Sequence, residues 1–203
     1  TREQIRRLAP HAGHLAAIRA VLPRDGFFVD DMCQAGFASC YAFPVYRPRT
    51  FVSFGGFGAL GHGYPTALGV KAAHPGQPVV AVCGDGGFQF GLPELGTAMQ
   101  YGLDVVAVVF NNQAYGNVLR DQETGYDGRV LGARLRNPDF VALARSYDMH
   151  AERAATPEAL SGALGRALER REPALIEVPV DPRSEPSPWP FIQPPAAAQG
   201  WSG

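Results

Sequence analysis

Two apolar runs, each closed by a short polar string, constrain this chain more than any other feature. Pro78-Val79-Val80-Ala81-Val82-Cys83 ends in Gly84-Asp85-Gly86, and Asp104-Val105-Val106-Ala107-Val108-Val109-Phe110 ends in Asn111-Asn112. β-Branched residues dominate both runs and polar alternation is absent, which is the pattern of strands buried on both faces. Between them, Leu92 to Tyr101 reads as a helix. A strand, helix and strand of this length form a right-handed parallel crossover. Asp85 and Asn112, 27 positions apart, are therefore expected at one edge of a sheet.

Ligands of open α/β sheets bind at that edge. One carboxylate and one carboxamide oxygen are too few to cage a divalent cation alone. They suit a magnesium ion that takes further oxygens from a phosphorylated ligand. Gly84, Gly86 and Gly87 let the backbone approach closely and aim amide hydrogens at an anion. Either string alone is also explained by an ordinary turn, with Asp85 capping a helix and the asparagines serving a loop.

Together the strings are more specific. Gly84-Asp85-Gly86, about 26 residues, then Asn111-Asn112 resembles the diphosphate and metal signature of thiamine diphosphate enzymes. Glu94-Leu95 and Thr97-Ala98 in the helix, and Gln113-Ala114-Tyr115-Gly116 after the asparagines, are similar to the branch containing acetolactate synthase and benzoylformate decarboxylase. So is the glycine-rich stretch from Gly58 to Gly69. The resemblance spans roughly residues 15 to 180. It implies a doubly wound α/β fold: a mainly parallel six-stranded sheet with helices on both faces, the thiamine diphosphate-binding fold.

The resemblance also implies roles. Asp85 and Asn112 would coordinate Mg2+ through side chains, and Ala114 through its backbone carbonyl. Gly84, Gly86, Gly87, Tyr115 and Gly116 would surround the diphosphate with backbone amides, helped by the positive end of a helix after Gly87. Leu60 would prop the cofactor into a bent shape, and the Gly58 carbonyl would accept a hydrogen bond from its amino group. Core packing for Leu60 and a flexible turn at Gly58 are the plain alternatives. His62 is assigned no catalytic role. Acidic Asp30 and Asp31 depart from the pattern, because they would repel phosphate unless they face away or bind a substrate cation.

Elsewhere, strand and helix signals alternate as a doubly wound sheet requires. Residues 11 to 22 read as a helix, 26 to 31 and 50 to 55 as strands, and 65 to 74 as a helix with Pro65 at its first position. Asn137-Pro138-Asp139 opens a helix with Asn137 as N-cap, Thr156-Pro157-Glu158 opens another, and 173 to 180 is the last strand. The polar segment 117–136 is expected as a long loop beside the site, either solvated or a functional lid. Residues 1–180 form the expected binding domain. A Pro-rich tail, 181–203, follows, whose Trp189, Phe191 and Trp201 suggest docking on a surface.

A hydrophobic content of 46% supports a core without disulfides, and the three cysteines form no Cys-x-x-Cys pair. That usage fits a reducing compartment and gives no iron-sulfur site for a ferredoxin-linked oxidoreductase. A net charge of -1 argues against nucleic acid or an acidic membrane as partner. With no 18-residue apolar stretch and no signal-like start, a cytoplasmic location is expected.

The family's catalytic glutamate, which activates the pyrimidine ring, belongs to a separate domain that nothing here resembles. Glu94 and Asp104 lie in the diphosphate half, so no catalytic residue is assigned in this chain. A pyrimidine-binding subunit or domain is the expected partner, in a hetero-oligomer such as a dimer of heterodimers. The chain is then one subunit of a split enzyme or a piece of a longer polypeptide. Phe51, Phe54 and Phe57 would face that partner. The expected activity is nonoxidative decarboxylation of a 2-oxo acid, ending in an aldehyde or in carboligation as in acetolactate synthesis. The alternative is a noncatalytic ligand-binding or scaffolding module that retains the fold.

Overall fold

The computed structural model describes residues 2–53, 55–187 and 190. The elements run α1 (Arg2–Arg6), α2 (His11–Val21), β1 (Phe27–Asp30), α3 (Gln34–Ala42), β2 (Phe51–Val52), α4 (Gly63–Ala73), β3 (Val79–Gly84) and α5 (Asp85–Phe88). They continue with a 3-10 turn (Gln89–Gly91), α6 (Glu94–Tyr101), β4 (Val105–Asn111), α7 (Gly116–Gly125), α8 (Phe140–Arg145), β5 (His150–Arg153), α9 (Pro157–Arg170), β6 (Ala174–Pro179) and a second 3-10 turn (Pro182–Ser184). The six strands form one sheet in the order β2-β1-β3-β4-β6-β5, and every pairing is parallel.

Two apolar layers close on this sheet. One holds Leu15 and Ile18 of α2 and Leu160 and Leu164 of α9 against Phe28, Val80, Val108 and Ile176. The other holds Tyr64 and Leu68 of α4, Leu95 of α6 and Phe140 of α8 against Val29, Ala81, Val109 and Leu175. Consecutive strand residues alternate between the layers, so β3 and β4 must be apolar at nearly every position. Lys71 and Asp104 form a 2.8 Å ion pair between α4 and the start of β4, at the strand end opposite the candidate site.

Several expectations need correction. The strand that the sequence did not announce is β5, His150–Arg153, at the sheet edge; its largely polar sequence carries none of the apolar signal of β3 or β4. The strand expected over 50–55 reduces to Phe51–Val52 among the described residues. Helix α4 starts at Gly63, so Pro65 lies inside its first turn rather than at its start. Helix α3 was not anticipated. Half of the expected 117–136 loop is the helix α7, which buries Leu119 against Ala114 and Ala133. The N-cap of α8 is Asp139, whose carboxylate accepts from the Ala142 amide at 3.0 Å, and not Asn137. Phe51 is half-buried and stacks on Phe28, while Phe57 is 95% exposed. Phe54, Trp189, Phe191 and Trp201 lie outside the described residues.

Candidate functional site

The register Gly84↔Phe110 ends β3 and β4 at the same level, so Asp85 and Asn112 leave the sheet from one edge. Strand β1 ends there too. Chain order reverses between β1 and β3, and that switch point opens a crevice beyond the strand ends. A cavity of about 300 Å³ fills it, lined by Met32 to Gln34 after β1, Gly84 to Gly87 after β3, and Asn112 and Ala114 to Val118 after β4. Leu60 stands at its rim, 42% exposed, on a loop that turns through left-handed Gly58 and Gly61.

Glycine is required where chains touch. A Cβ on Gly86 would lie 2.5 Å from the Tyr115 ring, and one on Gly84 2.8 Å from Cβ of Cys33. Gly84 is extended (φ -85, ψ 154), so the chain turns helical at Asp85 itself. The helix expected after Gly87 is this four-residue α5, with Gly86 and Gly87 inside its single turn. The Tyr115 amide does not face the cavity as an open donor; it donates to the Ala133 carbonyl at 2.9 Å. The bonds flanking the Ala114–Arg134 bridge use the Gln113 carbonyl and the Tyr115 amide, and leave the Ala114 carbonyl aside.

Asp85 is 2% exposed. Burial pushes its carboxyl above the ordinary carboxylate range, opposed by hydrogen bonds from Asn137 and from the Gly86 and Gln113 amides. Among the described residues none of these donors is a basic side chain. Asn137 Nδ2 donates to Asp85 Oδ2 at 2.6 Å and to Asn111 Oδ1 at 2.8 Å, while its own Oδ1 accepts from Gln89 at 2.8 Å. Asn111 Nδ2 in turn donates to buried Glu177 at 2.7 Å, and Glu177 is held by Arg153 at 2.8 Å. A continuous polar chain thus runs from an edge strand to Asp85.

Asn112 is fixed separately. Its Oδ1 accepts from the Ala114 amide at 3.0 Å, and its Nδ2 donates to Glu185 Oε2 at 2.6 Å. Sequence reasoning missed Asn137 and Glu185. An Asn-Pro-Asp string holds two cap-type residues, and capping by Asp139 frees Asn137 for other work. Nothing local marks Glu185 in its Pro-rich surroundings.

Asp30 and Asp31, both fully buried, do not line the cavity. Asp30 accepts from Ser39 at 2.9 Å and Ser53 at 3.2 Å. Asp31 accepts from the Met32 amide at 2.7 Å and the Gly61 amide at 3.2 Å, and meets His62 Nδ1 at 3.2 Å. Asp31 ties the Gly58–Gly63 loop to the end of β1, Asp30 ties Ser39 of α3 and Ser53 to it, and neither side chain lines the cavity. Among the described residues no helix is long and apolar enough to cross a membrane. Nor do three or more His, Cys, Asp or Glu side chains converge there to hold a metal unaided.

Residues 31–178 match the family described as thiamine pyrophosphate enzyme, C-terminal TPP binding domain. The probable acetolactate synthase large subunit of Methanococcus aeolicus is 37% identical over 155 residues, covering 76% of this chain and 26% of that protein. A probable 2-ketoarginine decarboxylase of Pseudomonas aeruginosa is 40% identical over 141 residues, covering 68% of this chain and 25% of that protein. The solved thiamine diphosphate-dependent 4-hydroxybenzoylformate decarboxylase of Rhodococcus jostii RHA1 superposes with a TM-score of 0.77 at 30% identity, over 84% of this chain and 32% of that one. This chain thus spans about a quarter to a third of the length of the relatives it matches.

Proposed function

The chain belongs to the thiamine pyrophosphate enzymes, as their C-terminal cofactor-binding domain, and from that premise we propose that it holds the diphosphate and a magnesium ion in an enzyme that decarboxylates a 2-oxo acid. The observation that carries this reading is the convergence of buried Asp85, Asn112 and a glycine cradle on one cavity at the sheet's switch point.

The donor set fits the group. Asp85 is a buried carboxylate whose charge burial disfavours, and a cation beside it would restore that balance. Asn112 Oδ1 and the Ala114 carbonyl add two neutral oxygens. Three oxygens would hold a hard cation and leave it able to take further oxygens from diphosphate. Gly86 and Gly87 offer close-approaching backbone on one side of the cavity. Gly116 does so on the other, at the first turn of α7, where amides lack intrahelical partners. The Tyr115 amide is left out of this set because Ala133 already uses it.

Leu60 stands at the cavity rim on a loop fixed by Asp31, which suits a side chain that would brace the bound cofactor. When bound, thiamine diphosphate supplies the carbon nucleophile and electron sink for loss of carbon dioxide. The chain's residues anchor and orient it. A pyrimidine-binding subunit or domain supplies the catalytic glutamate and covers exposed apolar side chains of this chain such as Phe57 and Phe90, 95% and 65% exposed.

Calorimetry of the protein with thiamine diphosphate and Mg2+, alone and with its pyrimidine-binding partner, tests the assignment. Magnesium-dependent binding should vanish in Asp85→Asn, and carbon dioxide release from 2-oxo acids should require both components. Cofactor binding indifferent to Mg2+ and to Asp85→Asn refutes the site. Tight binding with no turnover in any pairing marks a noncatalytic module.

A further inference from the structure

We propose that Glu185 is a positioning residue that fixes the Asn112 carboxamide with its oxygen, and not its nitrogen, toward the cation. The inference rests on the metal role proposed above and deepens it. The two ends of a carboxamide are nearly identical in shape, so packing cannot choose between them. A cation accepts only the oxygen. The choice must come from hydrogen-bond partners, and here both are unambiguous. Glu185 carries a carboxylate, which accepts, at 2.6 Å from Nδ2; the Ala114 amide can only donate, at 3.0 Å from Oδ1. A half-turn of the amide would set acceptor against acceptor and donor against donor. The charge-assisted bond to Glu185 is the stronger of the two constraints.

Glu185 is itself held from two further directions. Its side chain is 2% exposed, and its Oε1 meets Nε2 of His11 at 2.9 Å. Arg120 Nη2 donates to its backbone carbonyl at 3.1 Å. His11 is 1% exposed on α2, edge-on to Phe110 at 5.4 Å, and Glu185 is the hydrogen-bond partner of its ring among the described residues. This clamp answers a difficulty, because a carboxylate inside an anion-binding cavity would repel diphosphate. With one oxygen on His11 and the other on Asn112, the charge stays beside the carboxamide. A Cβ added to Gly116 would lie 2.8 Å from Asn112 Nδ2 and 3.3 Å from Glu185 Oε2, so a side chain there would crowd this pair.

The test is Mn2+ titration by electron paramagnetic resonance, with thiamine diphosphate present, in the full protein that contains this chain. Glu185→Ala should weaken Mn2+ by about 10–100-fold, the usual effect of removing a group that orients a metal ligand. Thiamine diphosphate affinity at saturating Mn2+ should be nearly unchanged, because the anion's own contacts are intact. Glu185→Gln, which can still turn an oxygen to Nδ2, should recover most of the loss. If Glu185→Ala binds Mn2+ as the wild type does, the inference is overturned while the metal site stands. An equal loss of thiamine diphosphate at saturating Mn2+ also overturns it, since that marks general collapse. Should Glu185→Ala fail to fold, His11→Phe decides: weaker Mn2+ binding supports the clamp and unchanged binding refutes it. A wild type that takes up neither Mn2+ nor cofactor overturns the metal reading itself, and the positioning role with it.

Discussion

Replacing Asn137 by Leu removes three hydrogen bonds while keeping the number and branching of side-chain heavy atoms. The bond to Asp85 Oδ2, at 2.6 Å, is charge-assisted and contributes about 1.5–3 kcal/mol; those to Asn111 and Gln89, both 2.8 Å, are neutral and contribute about 1 kcal/mol each. Asn137 is half-buried, so water replaces part of what is lost. A net destabilisation of about 2–3 kcal/mol follows, which for a domain of this size lowers Tm by about 4–12 °C. The same change acts on the site. Asp85 loses the side-chain bond that opposes burial, so its carboxyl rises further from the ordinary range and its rotamer is no longer set. Magnesium affinity in the presence of cofactor should fall about 10–100-fold. Thermal unfolding with and without Mg2+ and thiamine diphosphate measures both effects, because the stabilisation by ligand should shrink along with Tm. A variant that melts within about 1 °C of the wild type and binds metal normally would show that Asp85 is oriented without Asn137.

Three further outcomes separate the fold from the site. In Gly36→Ala the new Cβ would come to 2.1 Å from the Asp31 carbonyl, a backbone atom that cannot step aside, and Tm should drop sharply by calorimetry. In Gly116→Ala the clash, 2.8 Å, is with the Asn112 amide end, so cofactor binding should weaken while Tm changes little, as separate titration and melting would read out. His14 is 4% exposed, and burial lowers its imidazole below the ordinary value of about 6.5, helped by His11 and opposed by the Pro10 carbonyl and Glu158. A depressed folded value means that the unfolded chain takes up the proton first. Stability present above about pH 6.5 is therefore lost as pH falls, and the fall in Tm between pH 7 and 5 should be shallower in His14→Phe.

Much of the fold was legible because its centre is written in one-dimensional patterns. Strands β3 and β4 are buried on both faces, so every position had to be apolar, and each strand ends where Gly84 or Asn111 breaks the run. Thr156 and Pro157 announce α9 by capping chemistry alone, and the Thr156 hydroxyl does accept from the Ala159 amide at 3.2 Å. The edge of the sheet was not legible: β5 is His-Ala-Glu-Arg, whose charged residues are satisfied by cross-strand and helix partners, such as Arg166 on Glu152 at 3.0 Å. Asn137 was misread for a related reason. Asn-Pro-Asp offers two capping residues, and the choice between them depends on what else Asn137 can reach.

The sequence by itself determined the parallel crossover and the pair of polar strings that it delivers to one rim, since burial period and chain polarity are local properties. It also carried the glycine pattern, because a residue without Cβ is the only solution where chains nearly touch. Tertiary structure decided the rest of the site. It turned Asp30 and Asp31 away from the cavity, assigned the Tyr115 amide to Ala133, and brought Asn137 and Glu185 to the two side chains they steady. The Glu185 contacts join positions 73 and 174 residues apart. Hydrogen-bond partners at that separation are chosen by how helices and the segment after β6 pack on a finished sheet, and no local pattern records that choice.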